Sequence, residues 1–177
     1  MKTTARTLAA RTLNLDSDSG FTLIELLIVM SIMLILMALI VPQVTQMKKK
    51  ANQTSAIQSM RAIGQAEIGY NSAYPANGFA CTLAALGSDP SSGAPSAQGA
   101  QLLDPQLAAT GQKSGYTFSV KCGNKVTVNN QDMYASYTVT AVPQAVGKTG
   151  DNGYCSDENN IIKIDPAGAT NCTQSIQ

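Results

Sequence analysis

From Phe21 to Val44 the chain reads FTLIELLIVMSIMLILMALIVPQV, an apolar run in which Glu25 is the one ionisable side chain. The 21 residues from Phe21 to Val41 would span about 31 Å as a helix, at ~1.5 Å per residue. That matches the ~30 Å hydrocarbon core of a bilayer. The remainder of the chain is too small to cover such a helix on all sides, so a membrane-spanning helix is favoured over a buried core helix. Beyond Pro42 the pattern becomes amphipathic. Met47, Ala51, Thr54, Ile57, Met60, Gly64 and Ile68 recur every three or four residues, opposite a face of Lys, Asn and Gln, which predicts a continuing helix whose stripe packs on the rest of the protein. Proline removes a helical N–H and crowds the preceding turn, so a kink or local unwinding is expected at Pro42. Tyr74-Pro75 should end the helix, because the residue before proline is pushed out of the α region. A helix over Phe21–Tyr74 would be roughly 80 Å long.

The stretch from Ala76 to Gly115 is rich in Gly, Ser, Ala and Pro and reads as a loop, with short helices at Cys81–Leu86 and near Leu102–Ala108. GYTFSVKC, KVTVNN and MYASYTVTAVP then carry the alternation or β-branched enrichment of strands. They are expected to form an antiparallel meander, its apolar face on the exposed half of the helix, since three strands need such a partner. IIKID at 161–165 reads as a short fourth strand or edge segment.

Composition narrows the chemistry. The length of 177 residues suits about one domain. Twelve Lys or Arg against eleven Asp or Glu leave a net charge of +1, so no basic surface for nucleic acid is implied. The absence of histidine removes Ser-His-Asp and Cys-His catalysis and imidazole metal sites, and no nucleophile–base pair is legible. Trp is absent and Phe occurs three times, which leaves few large aromatic anchors for a core. A secretory signal peptide, with Lys2, Arg6 and Arg11 as its charged region, is disfavoured. The apolar run exceeds the ~7–15 residues of such a signal, and no small-residue cleavage site follows.

Glu25 is the anomaly. A carboxylate inside a spanning helix costs ~2.5–3.5 kcal/mol on insertion scales unless a partner neutralises it. Reaching water at the interface is one solution. The other is cleavage just before Phe21, which would create an α-amino group one helical turn from Glu25, able to pair with its own carboxylate or with that of an adjacent subunit.

Gly20 followed by Phe21-Thr22-Leu23-Ile24-Glu25 and about sixteen apolar residues resembles the class III signal of type IV pilins and type II secretion pseudopilins. Pro42 sits where many of these proteins carry a helix-kinking proline. The resemblance covers roughly Ser19 to Met60. It implies that a membrane prepilin peptidase cuts the Gly20–Phe21 bond and N-methylates Phe21, and that Glu25 neutralises the amino terminus of a neighbouring subunit during assembly. The leader departs from the pattern, with Asp16, Asp18 and Ser19 before Gly20 where Lys or Arg is common.

Charges flanking the apolar run do not decide orientation, since Lys2, Arg6 and Arg11 precede it and Lys48, Lys49, Lys50 and Arg61 follow. Cysteines do. Cys81, Cys122, Cys155 and Cys172 all follow the run, without a C-x-x-C pair, as expected of disulfides in an oxidising compartment. The head is therefore placed outside the cytoplasm. Of three possible connectivities, Cys81–Cys122 with Cys155–Cys172 is preferred, the second enclosing a C-terminal loop similar to the disulfide-bounded surface region of type IV pilins. Three further features carry less. Asp151, Asp157, Glu158 and Asp165 could in principle ligate calcium, as the C-terminal loop of major pseudopilins does, but their spacing fits no EF-hand and a solvated acidic loop is preferred. Asn52-Gln53-Thr54 and Asn171-Cys172-Thr173 match the glycosylation sequon. Phe21, Tyr70 and Tyr74 are too few helix aromatics for conduction along a filament.

These readings converge on an α+β, pilin-like fold: a leader (1–20), a hydrophobic transmembrane and assembly helix (21–44), an amphipathic continuation (45–74), and a head (75–177) containing a small antiparallel β-sheet. The function they imply is that of a structural filament subunit, without catalytic residues, cofactor or metal. It would be held in the inner membrane, cut and methylated at Phe21, and polymerised into an extracellular or periplasmic filament. Its partners would be copies of itself, minor pilins, the prepilin peptidase, an assembly ATPase, an inner-membrane platform protein and, before assembly, lipid. A type II secretion pseudopilin is the alternative, and a single-pass anchored binding module that never polymerises is a further one.

Overall fold

The computed structural model describes residues 20–176; the leader features, including Lys2, Arg6, Arg11, Asp16, Asp18 and Ser19, lie outside them. The first element is a long helix, α1 (Leu23–Ala73), continuous through Pro42. The chain divides into two units between Ile40 and Val41. In the first, every described side chain from Phe21 to Ile40 is exposed, and α1 carries a stretch of mean hydropathy 3.0 that is long and apolar enough to cross a membrane.

In the second unit α1 ends where expected. The Tyr74 N–H donates to Tyr70 O at 2.8 Å, and the Asn77 N–H closes a turn on Tyr74 O at 2.9 Å, Pro75 being unable to continue the helix. Two short helices follow, α2 (Leu83–Leu86) and α3 (Pro105–Thr110), separated by a 3₁₀ turn at Pro90–Ser92. Each has a local cause. Thr82 Oγ1 accepts the Ala85 N–H at 3.2 Å, and Asp104 Oδ1 accepts the Leu107 N–H at 2.9 Å, which are N-caps. Pro105 occupies the first turn of α3, and Gly111, at φ 64°, closes it by donating its N–H to Leu107 O.

The strands are β1 (Gln112–Lys113), β2 (Tyr116–Cys122), β3 (Lys125–Val128), β4 (Gln131–Tyr134), β5 (Tyr137–Pro143), β6 (Gly153–Asp157), β7 (Lys163–Asp165) and β8 (Gln174–Ser175). They form a six-stranded antiparallel sheet, β1-β2-β5-β6-β7-β8, and a separate hairpin, β3-β4. This corrects the expected meander. KVTVNN does not pair with β2, and MYASYTVTAVP is broken at Ala135-Ser136. Asn129 and Asn130 both take positive φ, 51° and 63°, the geometry of a two-residue type I′ turn. The turn folds β3 directly onto β4. All four β3 residues are exposed, so β3 has no buried face to hold it in the main sheet.

The seven-residue register of β2 on β5 aligns Tyr116 with Pro143 and Cys122 with Tyr137. Alternate residues then point inward: Tyr116, Phe118 and Val120 from β2, Tyr137, Val139 and Ala141 from β5, Tyr154 from β6. They share one core with Ala56, Met60, Ile63, Ala66 and Tyr70 of α1. The helix face that packs is therefore rotated from the predicted stripe: Met60 and Gly64 are buried and Ile57 half-buried, but Met47, Ala51, Thr54 and Ile68 are exposed. The packed face contains small and polar residues, Ala56, Ser59, Ala66 and Glu67, that a count of large apolar positions overlooks. Counting Trp and Phe also understated the aromatic core, since Tyr116, Tyr137 and Tyr154 are its largest fully buried side chains.

Candidate functional site

At the start of α1 the Thr22 N–H and Oγ1–H both donate to Glu25 Oε2, at 3.1 and 3.0 Å, and the Glu25 N–H returns to Thr22 Oγ1 at 3.3 Å. Thr22 precedes the first helical residue and Glu25 is the third, so this is a reciprocal capping box. Its chemistry bears directly on the misplaced carboxylate. Two donors are aimed at one oxygen of Glu25, and the charge sits at the positive end of the helix dipole. Both effects lower the cost of holding a carboxylate in an apolar segment. Among the described residues Oε1 accepts no hydrogen bond, so one oxygen is left for a further donor.

Gly20 and Phe21 lie just before the box and are exposed, Phe21 by 87%. A new amino terminus at Phe21 would be adjacent in sequence to Thr22, whose own N–H already contacts Glu25. Thr22 is the residue the sequence reading missed. Its signal was present, because T-x-x-E directly before an apolar run is a helix-start signature. The side chains of Leu23, Ile24, Leu26, Leu27 and their successors through Ile40 are exposed. An apolar surface of this extent requires lipid or other protein to cover it.

The head presents a second group of contacts, at the base of its share of α1. Lys49 Nζ lies 3.0 Å from Asp151 Oδ1, with the lysine side chain only 11% exposed. Asn52 Nδ2 donates to Thr149 O at 2.8 Å, and Ser55 and Ser114 hydroxyls lie 2.9 Å apart. The run Lys48-Lys49-Lys50 is thus divided. Lys49 is turned in to fasten the loop before β6, while Lys48 and Lys50 face outward. Asn52, of the first sequon, has its amide occupied by that loop.

Cys81 is bonded to Cys122 and Cys155 to Cys172. The first bond ties the segment after α1 to the end of β2; the second closes a loop across β6 and β7. Inside that second loop Asp165, 5% exposed, accepts the Ala167 N–H at Oδ1 and the Asn171 N–H at Oδ2, both at 2.9 Å. The other acidic residues of this region act separately: Asp151 on Lys49, and Asp157 on the Asn159 N–H at 3.0 Å and on Lys163 at 3.8 Å. Among the described residues no three His, Cys, Asp or Glu side chains gather as metal ligands.

Residues 16–41 match the family model of the prokaryotic N-terminal methylation motif. The amino-terminal segment therefore carries the class III signal common to type IV pilins and type II secretion pseudopilins. No curated protein and no solved structure matches it.

Proposed function

We propose that this chain is a type IV pilin, a structural subunit stored in the inner membrane and drawn from it into a helical filament. The observation that carries the reading is the methylation motif at residues 16–41, set on an uncovered apolar helix start whose carboxylate already has a local cap. Prepilin peptidase cuts Gly20–Phe21 and methylates Phe21, removing the leader 1–20. Residues 21–44 are held by lipid until assembly. Pro42 is the point at which the helix can kink between this stretch and the amphipathic part, 45–74, that belongs with the head. In the filament, apolar helix starts cover one another, and the free oxygen of Glu25 receives the Phe21 ammonium of a neighbour. An assembly ATPase and a platform protein in the inner membrane supply the work, and minor pilins share the filament. The head lies outside the cytoplasm, where its two disulfides persist. The loop closed by Cys155–Cys172 favours the pilin over the pseudopilin, being similar to the disulfide-bounded region of pilin surfaces.

Intact mass and N-terminal sequencing of a sheared extracellular fraction from cells producing the chain test this. A mature protein beginning with N-methylated Phe21 is expected in filaments. With Glu25→Ala, processing should persist while filament yield falls at least tenfold. A chain found only in the inner membrane with its leader attached would overturn the reading. Processed chain confined to the cell envelope would indicate a pseudopilin.

A further inference from the structure

Glu67 lies on the core face of α1 and is 0% exposed. Its Oε2 accepts the Ala80 N–H at 2.8 Å, while Oε1 is buried with no hydrogen-bond partner among the described residues. Other buried charges in the head are provided for, Lys49 by an ion pair and Asp165 by two N–H donors. Glu67 has one donor and no cation: burial and the Ala80 N–H are what act on it. The charge of Glu67 acts on Tyr137 of β5, whose hydroxyl is likewise buried without a partner among the described residues. The charges of Glu67, Asp157 and Glu158 all oppose ionisation of that phenol, after burial itself, and it is pushed up to about 12. The charges acting on that phenol are negative, Asp157 being paired with Lys163 at 3.8 Å.

We propose that Glu67 is a proton-operated latch of the head: the folded protein holds this carboxyl neutral, and loss of its proton loosens the packing of α1 on the sheet. A neutral carboxyl removes the uncompensated charge and needs one donor fewer, whereas a carboxylate here would be desolvated and half satisfied. The location suits a latch. Ala80 is flanked by Cys81, bonded to Cys122 at the end of β2, and by Phe79, whose N–H donates to Tyr134 O of β4 at 3.0 Å. Helix, main sheet and hairpin meet at this corner.

Burial raises the carboxyl from 4.5 to about 7. A group raised on folding contributes its stabilisation fully below its unfolded value and loses it as the pH rises through its folded value. The contribution of Glu67 is thus full below about pH 4.5 and is lost up to about pH 7. Through this group the folding equilibrium constant should fall by roughly two to three powers of ten, at tenfold per unit.

The inference concerns the folded head and does not depend on filament assembly. The test uses the full chain in detergent micelles, with glutamate labelled by ¹³C at the carboxyl. Three glutamates occur, Glu25, Glu67 and Glu158, so Glu25→Gln and Glu158→Gln assign the Glu67 signal by elimination without touching the core. A Glu67 midpoint near 7 supports the latch, and one near 4.5 sinks it. Urea midpoints give the second readout. Glu67→Gln should flatten the fall seen in the wild type between pH 4.5 and 8, whereas an unchanged slope would mean that Glu67 is merely structural. Should Glu67→Gln fail to fold, the wild-type titration decides alone.

Discussion

Single side chains in this protein owe their roles to the number of donors and acceptors within reach. Asp165 is a clear case, since both of its oxygens are occupied by backbone N–H groups inside the loop closed by Cys155–Cys172. Asp165→Ala should leave those N–H groups unpaired and lower stability by about 2 kcal/mol, at ~1–3 kcal/mol for a buried group left unsatisfied; urea unfolding in micelles would measure it. The Tyr116 hydroxyl donates to Asn152 O at 2.9 Å, and burial is the main reason its phenol is driven upward. Such pairings were poorly legible beforehand. Glu25 stood out because it interrupts an apolar run, whereas Glu67 and Lys49 sit among polar neighbours in a stretch that already reads as amphipathic. No spacing rule separates a charge turned inward from one turned out, because burial is decided by the surface that arrives to cover it.

Elements were legible in proportion to how locally they are specified. α1 was predicted as 21–74 and spans Leu23–Ala73, because its apolar run and terminating proline are contiguous in sequence. Strand pairing was read less well. The Asn129-Asn130 turn directs β3 onto β4, and the hairpin is then tied by Lys125 to Asp132 at 3.1 Å and Thr127 to Asp132 at 2.7 Å. Those two contacts, Thr127 first, hold the Asp132 carboxyl below its ordinary range. Asn130→Gly should preserve the hairpin, since glycine accepts positive φ freely, and Asn130→Ala should weaken it by roughly 1 kcal/mol. Amide exchange across Lys125–Tyr134 would report the difference, with the exchange of β2 and β5 unchanged.

At the scale of the molecule, the head combines one shared core with two covalent closures. The bonded cysteines are separated by 41 and 17 residues, so the chain-entropy model assigns about 4 and about 3 kcal/mol respectively. Cys81→Ser with Cys122→Ser should therefore destabilise the head more than the paired change at Cys155 and Cys172. Urea midpoints of the two double variants in micelles would test that order; the reverse order would mean that the C-terminal loop organises more of the core than its length implies. By itself the sequence determined what contiguous residues can specify: the class III signal at Gly20–Glu25, a helix start long and apolar enough to cross a membrane, the end of α1 before Pro75, and an α+β architecture with a disulfide-bearing head. Tertiary structure alone decided the strand order β1-β2-β5-β6-β7-β8, the rotation of α1 toward Ala56, Met60, Ile63 and Tyr70, and the burial of Glu67. The physical reason is that local patterns report which faces are apolar, but which face meets which is set by side-chain volumes and donors brought together from distant parts of the chain.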